Sequence, residues 1–300
     1  MSTVACFRQP QPFIASPVGC KLAAMERGTV KSVALSLVSV LVMALLSVAQ
    51  DTANKADVRE LPNSKAEAAA VLEKANAGDV PSQHLAGLMY LNGGGLPKDL
   101  TSALKWFRKA ADAGYSDAQY DLAVMYERGE GVPANCAEAA TWYARAARQN
   151  HVYAIQNLLA IYELGRCLGQ DDVEVARLTR RLAEMGSPDD QLNLGSFYAM
   201  GRGVPKNEKE AGKWFALAAE QGQPVAQFML GQWYRDGRGG IAQNYVTAYK
   251  WFTLAVTGGN QVDGRNFLNP KMTSEEIAEA KKEADEWTKN HTPLGKAQHN

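Results

Sequence analysis

Ser102-Ala-Leu-Lys105 is the sharpest catalytic spacing in this chain. A serine three residues ahead of a lysine suits acyl transfer of the penicillin-binding type, but such sites also carry Lys-Thr-Gly or Ser-Asp-Asn. Neither tripeptide occurs in the sequence. Gly201-Arg-Gly-Val-Pro-Lys206 has the glycines and base of a phosphate loop, yet no Gly-Lys-Ser/Thr follows it. The histidines His84, His151, His291 and His299 lack an i,i+4 partner or a His-x-Glu, so no metal site is expected. Arg177-Leu-Thr-Arg-Arg181 reads as a solvated helix face. Two pairs remain: the carboxylates Glu127 and Glu163, and the cysteines Cys136 and Cys167. Neither pair demands a cofactor, and the chain reads as one with no catalytic residue, no metal and no cofactor.

The elements that place these residues repeat. Tyr90, Tyr126, Tyr162, Tyr198 and Tyr234 stand 36 residues apart, each followed three positions later by a glycine. A fixed period of this length marks a solenoid or array. Counting from each tyrosine as position 0, positions −8, −4, −1 and 0 form one apolar face of a helix A, and −3 is mostly small. The glycine at +3 is its left-handed C-cap. A glycine at +5 and Pro97, Pro133 and Pro205 at +7 turn the chain. Asp99, Asn135, Asp171, Asn207 and Asn244 then cap a helix B. Glu138, Glu174 and Glu210 complete capping boxes. Helix B buries alanines and aromatics, so Trp106, Trp142, Trp214 and Trp251 are expected in the core. Half a unit precedes the first, since Ala75 and Gly78 lie one period before Ala111 and Gly114. Thr273 with Glu276 starts a last helix through Ile277, Ala280, Ala284 and Trp287. It reads as the cap that a solenoid end needs, with a partner-binding tail as the alternative.

Segments such as Ala118-Gln-Tyr-Asp-Leu-Ala-Val-Met-Tyr126, Gly129-Glu-Gly-Val-Pro133 and Trp142-Tyr143-Ala-Arg-Ala-Ala147 resemble the Sel-one-like repeat (SLR), a relative of the tetratricopeptide repeat. The resemblance covers about residues 64–288. It implies an all-α, right-handed α/α solenoid of five two-helix repeats, with the half repeat before it and the capping helix after it. It also implies adaptor or scaffold roles, such as regulating a membrane sensor or assembling an envelope complex. The third unit departs: Leu178 replaces the tryptophan, Cys167 the second loop glycine and Gly169 the proline.

Val33–Ala49 is an uncharged run with a basic flank and small residues before Gln50. This reads as a signal peptide over residues 1–49, cleaved between Ala49 and Gln50, with Met25 as the true start. An uncleaved anchor is the alternative, and either places the repeats outside the cytoplasm. Residues 50–63 read as a flexible lead-in and 289–300 as a disordered tail. The whole chain has a net charge of +0, and removing the leader leaves it near neutral. No cationic surplus exists to neutralise phosphates, which argues against nucleic acid. No membrane insertion is expected after cleavage, and the chain reads as a periplasmic or secreted monomer.

Comparison among the units separates packing positions from free ones. Position −6 varies through His84, Tyr120, Gln156, Leu192 and Phe228. Position −2 includes Leu88 and Gln232, and +1 includes Glu127, Glu163 and Arg235. By analogy with tetratricopeptide units these line a concave groove for a protein or peptide; the alternative is packing against the next unit. Glu127 and Glu163 would stand roughly 10 Å apart by ordinary helix packing, near the upper end of the inverting-glycosidase range. A glycan-binding or glycan-hydrolysing envelope protein is therefore the second functional reading. Stacking also puts Cys136 and Cys167 side by side, and an oxidising compartment favours their bridge. Two free thiols are the alternative.

Overall fold

A computed structural model describes residues 61–291, within the second of the two units, 1–52 and 53–300, into which the chain divides. The leader with its Ala49–Gln50 junction, most of the lead-in and the tail from 292 onward lie outside the described residues. Helix α1 (Lys65–Asn76) is the half unit. Five helix pairs follow: α2 (Val80–Asn92) with α3 (Leu100–Asp112), and α4 (Ser116–Arg128) with α5 (Cys136–Arg148). Then come α6 (Val152–Leu164) with α7 (Asp172–Glu184), α8 (Pro188–Met200) with α9 (Glu208–Glu220), and α10 (Pro224–Asp236) with α11 (Tyr245–Thr257). Helix α12 (Ser274–His291) closes the stack and runs past residue 288. Each helix packs on the one before and the one after, which is the solenoid arrangement. No helix among the described residues is long and apolar enough to cross a membrane.

Local chemistry sets the boundaries. Helices α2 to α11 are each 13 residues long. Gly93, Gly129, Gly165, Gly201 and Gly237 end the A helices with φ between 65° and 86°, a region that costs a residue with a Cβ. Asp99, Asn135, Asp171, Asn207 and Asn244 each accept a backbone N–H at the start of a B helix. The capping boxes are only half made. Each cap's own N–H donates to the carbonyl of the repeated tyrosine, as Asn135 does to Tyr126 at 2.8 Å. That bond ties helix B to the end of helix A, and it leaves Glu174 and Glu210 to pair with Arg177 and Lys213. Thr273 and Glu276 do make both bonds of a box, at 2.8 and 3.2 Å.

The core corrects one expectation. Trp142 and Trp251 are buried, but Trp106 and Trp214 are only half-buried. The deepest aromatics are the next residues along, Phe107, Tyr143, Phe215 and Phe252, all 0% exposed. Their rings explain the small residue at −3. A Cβ at Gly87, Gly195 or Gly231 would fall 2.5–2.8 Å from the ring of Phe107, Phe215 or Phe252. The third unit inverts the pair, with Leu159 at −3 and Thr179 in place of the aromatic, a volume exchange that cores accept.

Candidate functional site

Helix α4 starts one residue after Tyr115 and carries Asp117, Tyr120 and Asp121 at i, i+3 and i+4, a spacing that groups them on one face. From α2, His84 sets Nε2 2.7 Å from the Asp121 carboxylate, with its ring 5.2 Å from Tyr115 and 5.6 Å from Phe107. From the other side, His151 is the N-cap of α6, and its Nδ1 accepts the Ala154 N–H. The opposite ring nitrogen, Nε2, therefore carries the proton in the neutral form and faces Asp117 at 3.5 Å. Burial pushes the His151 pKa down, against the pull of Asp117 and Asp121. Tyr120 stacks on that imidazole at 4.7 Å and lies 6.1 Å from Tyr153. The result is a half-exposed strip of aromatic rings and carboxylates across the N-terminal halves of α4 and α6, with His84 of α2 buried beside it.

Glu127 and Glu163 belong to a second system. Tyr143 donates its hydroxyl to Glu127 at 2.6 Å, and burial together with that carboxylate drives the phenol pKa well up. Arg166, from the next unit's loop, lies 3.8 Å from Glu127. Arg202, one unit further, reaches both Glu163 at 3.4 Å and Asp172 at 2.8 Å. Arg238 continues the series onto Glu208 at 2.7 Å. Each carboxylate is held by an arginine of the following unit, a geometry of struts between repeats.

The remaining groove candidates divide. Leu88 is 6% exposed and part of the core. Leu192 packs against two core clusters, and Phe228 lies 5.4 Å from the buried Phe252 ring. Gln156 and Gln232 are half-buried. Arg235 pairs with Asp236 at 2.6 Å and lies 5.7 Å from the Phe267 ring. Ser102 donates its hydroxyl to the cap Asp99 at 2.6 Å, while Lys105 is exposed. Their shared motif is therefore a helix start. No group of three potential metal ligands occurs among the described residues.

Position −7 carries a feature the repeat pattern held and the sequence reading passed over. Gln83, Gln119, Gln191 and Gln227 each send their amide into the end of the preceding B helix, at 3.1–3.2 Å from Ala75, Ala111, Ala183 and Ala219. Each of these carbonyls also accepts a backbone N–H, as Ala111 does from Gly114 at 3.0 Å, so the glutamine adds a second bond that ties one unit to the next. The third unit has Ile155 there instead. The structure also joins Cys167 of that unit to Cys136 of the second, with Cα atoms 6.0 Å apart.

With this geometry in place, comparison with known proteins is direct. The Sel1 repeat model matches residues 80–115, 116–151, 188–223 and 224–260, which are the first, second, fourth and fifth units. The crystal structure of c5321, a protective antigen of uropathogenic Escherichia coli displaying an SLR fold, is similar at 30% identity over 79% of this chain, with a TM-score of 0.49. This chain spans 61% of that protein's length. A Sel1 repeat protein from Oxalobacter formigenes is 29% identical over 69% of this chain and 88% of its own, with a TM-score of 0.51. A search of curated proteins returns no match.

Proposed function

This chain is built of Sel1 repeats, and from that premise we propose that it is a non-enzymatic adaptor which holds a protein or peptide along its A helices. Its place is the periplasm or the cell exterior, reached through the N-terminal leader, and it acts as a monomer on a membrane sensor or an envelope complex. The observation that carries this reading is the strip on α4 and α6. Tyr120, Tyr153, Asp117 and the edge of His151 stay partly open there, beside the buried His84 and Tyr143 rings. Half-exposed aromatics among polar groups supply large contact area at low entropic cost.

The carboxylates Glu127 and Glu163 support scaffolding over hydrolysis, because arginine struts occupy both. The test is an affinity pulldown from envelope extract with the processed chain, run beside Tyr120→Ala and beside Thr141→Arg on the outer face of α5. Loss of a specific partner with the α4 variant alone supports the assignment. Loss with the α5 variant alone refutes it.

A further inference from the structure

The turn that opens each B helix makes a close approach to the unit before it. A Cβ at Gly131 would stand 2.7 Å from the carbonyl oxygen of Leu100, and one at Gly239 would stand 2.8 Å from that of Glu208. At Gly203 the approach to the Asp172 carbonyl is closer still. Leu100, Asp172 and Glu208 are the first residues of α3, α7 and α9. The same point of contact in the third unit is Cys167 against Cys136, the first residue of α5. Cys167 also keeps the left-handed backbone of those glycines, with φ 50°. A covalent bond therefore stands where the other units need the absence of a side chain.

From this we infer that the Cys136–Cys167 bridge is a redox modification site, opened by a thiol reductant that attacks Cys167. Access favours that sulfur, since Cys167 lies on an exposed loop while Cys136 is half-buried. The leaving group favours it too. Cys136 departs at the N-terminus of α5, where open backbone N–H groups and the helix dipole stabilise a thiolate. A better-stabilised leaving thiolate leaves faster. Arg166, beside Cys167 and 3.8 Å from Glu127, adds positive charge along the approach, and Glu138 in the first turn of α5 is the opposing anion.

In the first step the reductant's thiolate bonds to Cys167 Sγ, the S–S bond breaks, and its electron pair leaves on Cys136 Sγ, which then takes a proton. A second thiol attacks the mixed disulfide at the reductant's sulfur and frees Cys167. Overall two thiols of the reductant are oxidised to one disulfide and the protein gains two thiols. The bonded sulfurs must then separate to ordinary contact at a point where the neighbouring units have no room, so the 165–171 loop swings off α5. This junction is already the loosest of its kind. The Asp171 N–H lies 3.4 Å from the Tyr162 carbonyl, against 2.8–2.9 Å for the equivalent bond in the other four units.

The experiment uses the oxidised, folded chain and glutathione as the probe. Samples from a time course are acid-quenched and alkylated with N-ethylmaleimide, and peptide masses then place each adduct. The inference predicts glutathione on Cys167 and maleimide on Cys136, with ~10-fold preference over the reverse pattern. Equal adducts, glutathione chiefly on Cys136, or no reaction until the chain is denatured would overturn it. Amide exchange after full reduction supplies the second readout. Residues 165–171 should speed up while the equivalent 201–207 loop stays unchanged, and an unchanged 165–171 loop would refute the opening.

Discussion

At one and the same position of helix A, the first three units carry His84, Tyr120 and Gln156, and the last two carry Leu192 and Phe228. In the first two units polar partners are added to core contacts: the buried His84 meets Asp121, and Tyr120 lies on His151 while packing 5.8 Å from the buried Tyr143 ring. In the last two units the partners are core residues, with Leu192 packed on two clusters and Phe228 against Phe252. The same backbone position thus gains polar partners at one end of the stack and apolar ones at the other. Freedom to vary between units does not by itself mark a binding residue, because a position can vary by joining the core.

The comparison breaks or holds first on stability. Trp142→Ala, at a site 3% exposed, should cost roughly 3–5 kcal/mol. Trp214→Ala, at the half-buried equivalent, should cost no more than about 2 kcal/mol. Chemical denaturation measures both, and equal losses would show that the two sites bury their tryptophans alike. Next in size is the bridge. Replacing both cysteines by serine should cost roughly 3–4 kcal/mol for a loop of this length. Cys167→Gly in place of Cys167→Ser should return about 1 kcal/mol, because the left-handed turn then carries no Cβ.

Phe228→Ala should lose about 2 kcal/mol through the Phe252 contact, and Tyr120→Ala a similar amount through Tyr143 and His151. Thermal melts of the two variants check this. A pH-dependent effect belongs to Asp190, whose pKa burial raises from 3.8 to about 6, with Ser187 opposing the rise and Asp189 adding to it. Its folded pKa lies above the unfolded one, so its contribution is fully present below pH ~4 and is lost as pH rises through ~6. Asp190→Ala, the residue three other units carry there, should stabilise by roughly 1–2 kcal/mol at pH 8 and by nothing at pH 4. Melts at the two pH values check it.

Much of the fold was legible because it is stated five times over. The tyrosine and glycine periods, the Asp and Asn caps and the closing helix at Thr273 all follow from spacing. Two things were less visible, for different reasons. Trp142 and Trp251 are buried as their size suggests, but at Trp106 and Trp214 helix geometry leaves the tryptophan half-buried and turns the following aromatic fully inward. The −7 glutamines stand in four units, but their role is a bond to another helix's carbonyl, which no helical period reveals. At the site, the variable positions were identified as a set, and only the structure shows which of them face Asp117, Asp121 and His151.

The central claim is that partner contact runs along the A helices of the second and third units. Site-specific photo-crosslinking in living cells addresses it most directly, with a benzophenone amino acid placed singly at Tyr120, at Gln156, at Phe228 and at the outward-facing Thr141. The account predicts a shared crosslinked product from Tyr120 and Gln156, weak or none from Phe228, and none from Thr141. A product from Thr141 with nothing from Tyr120 or Gln156 would contradict it.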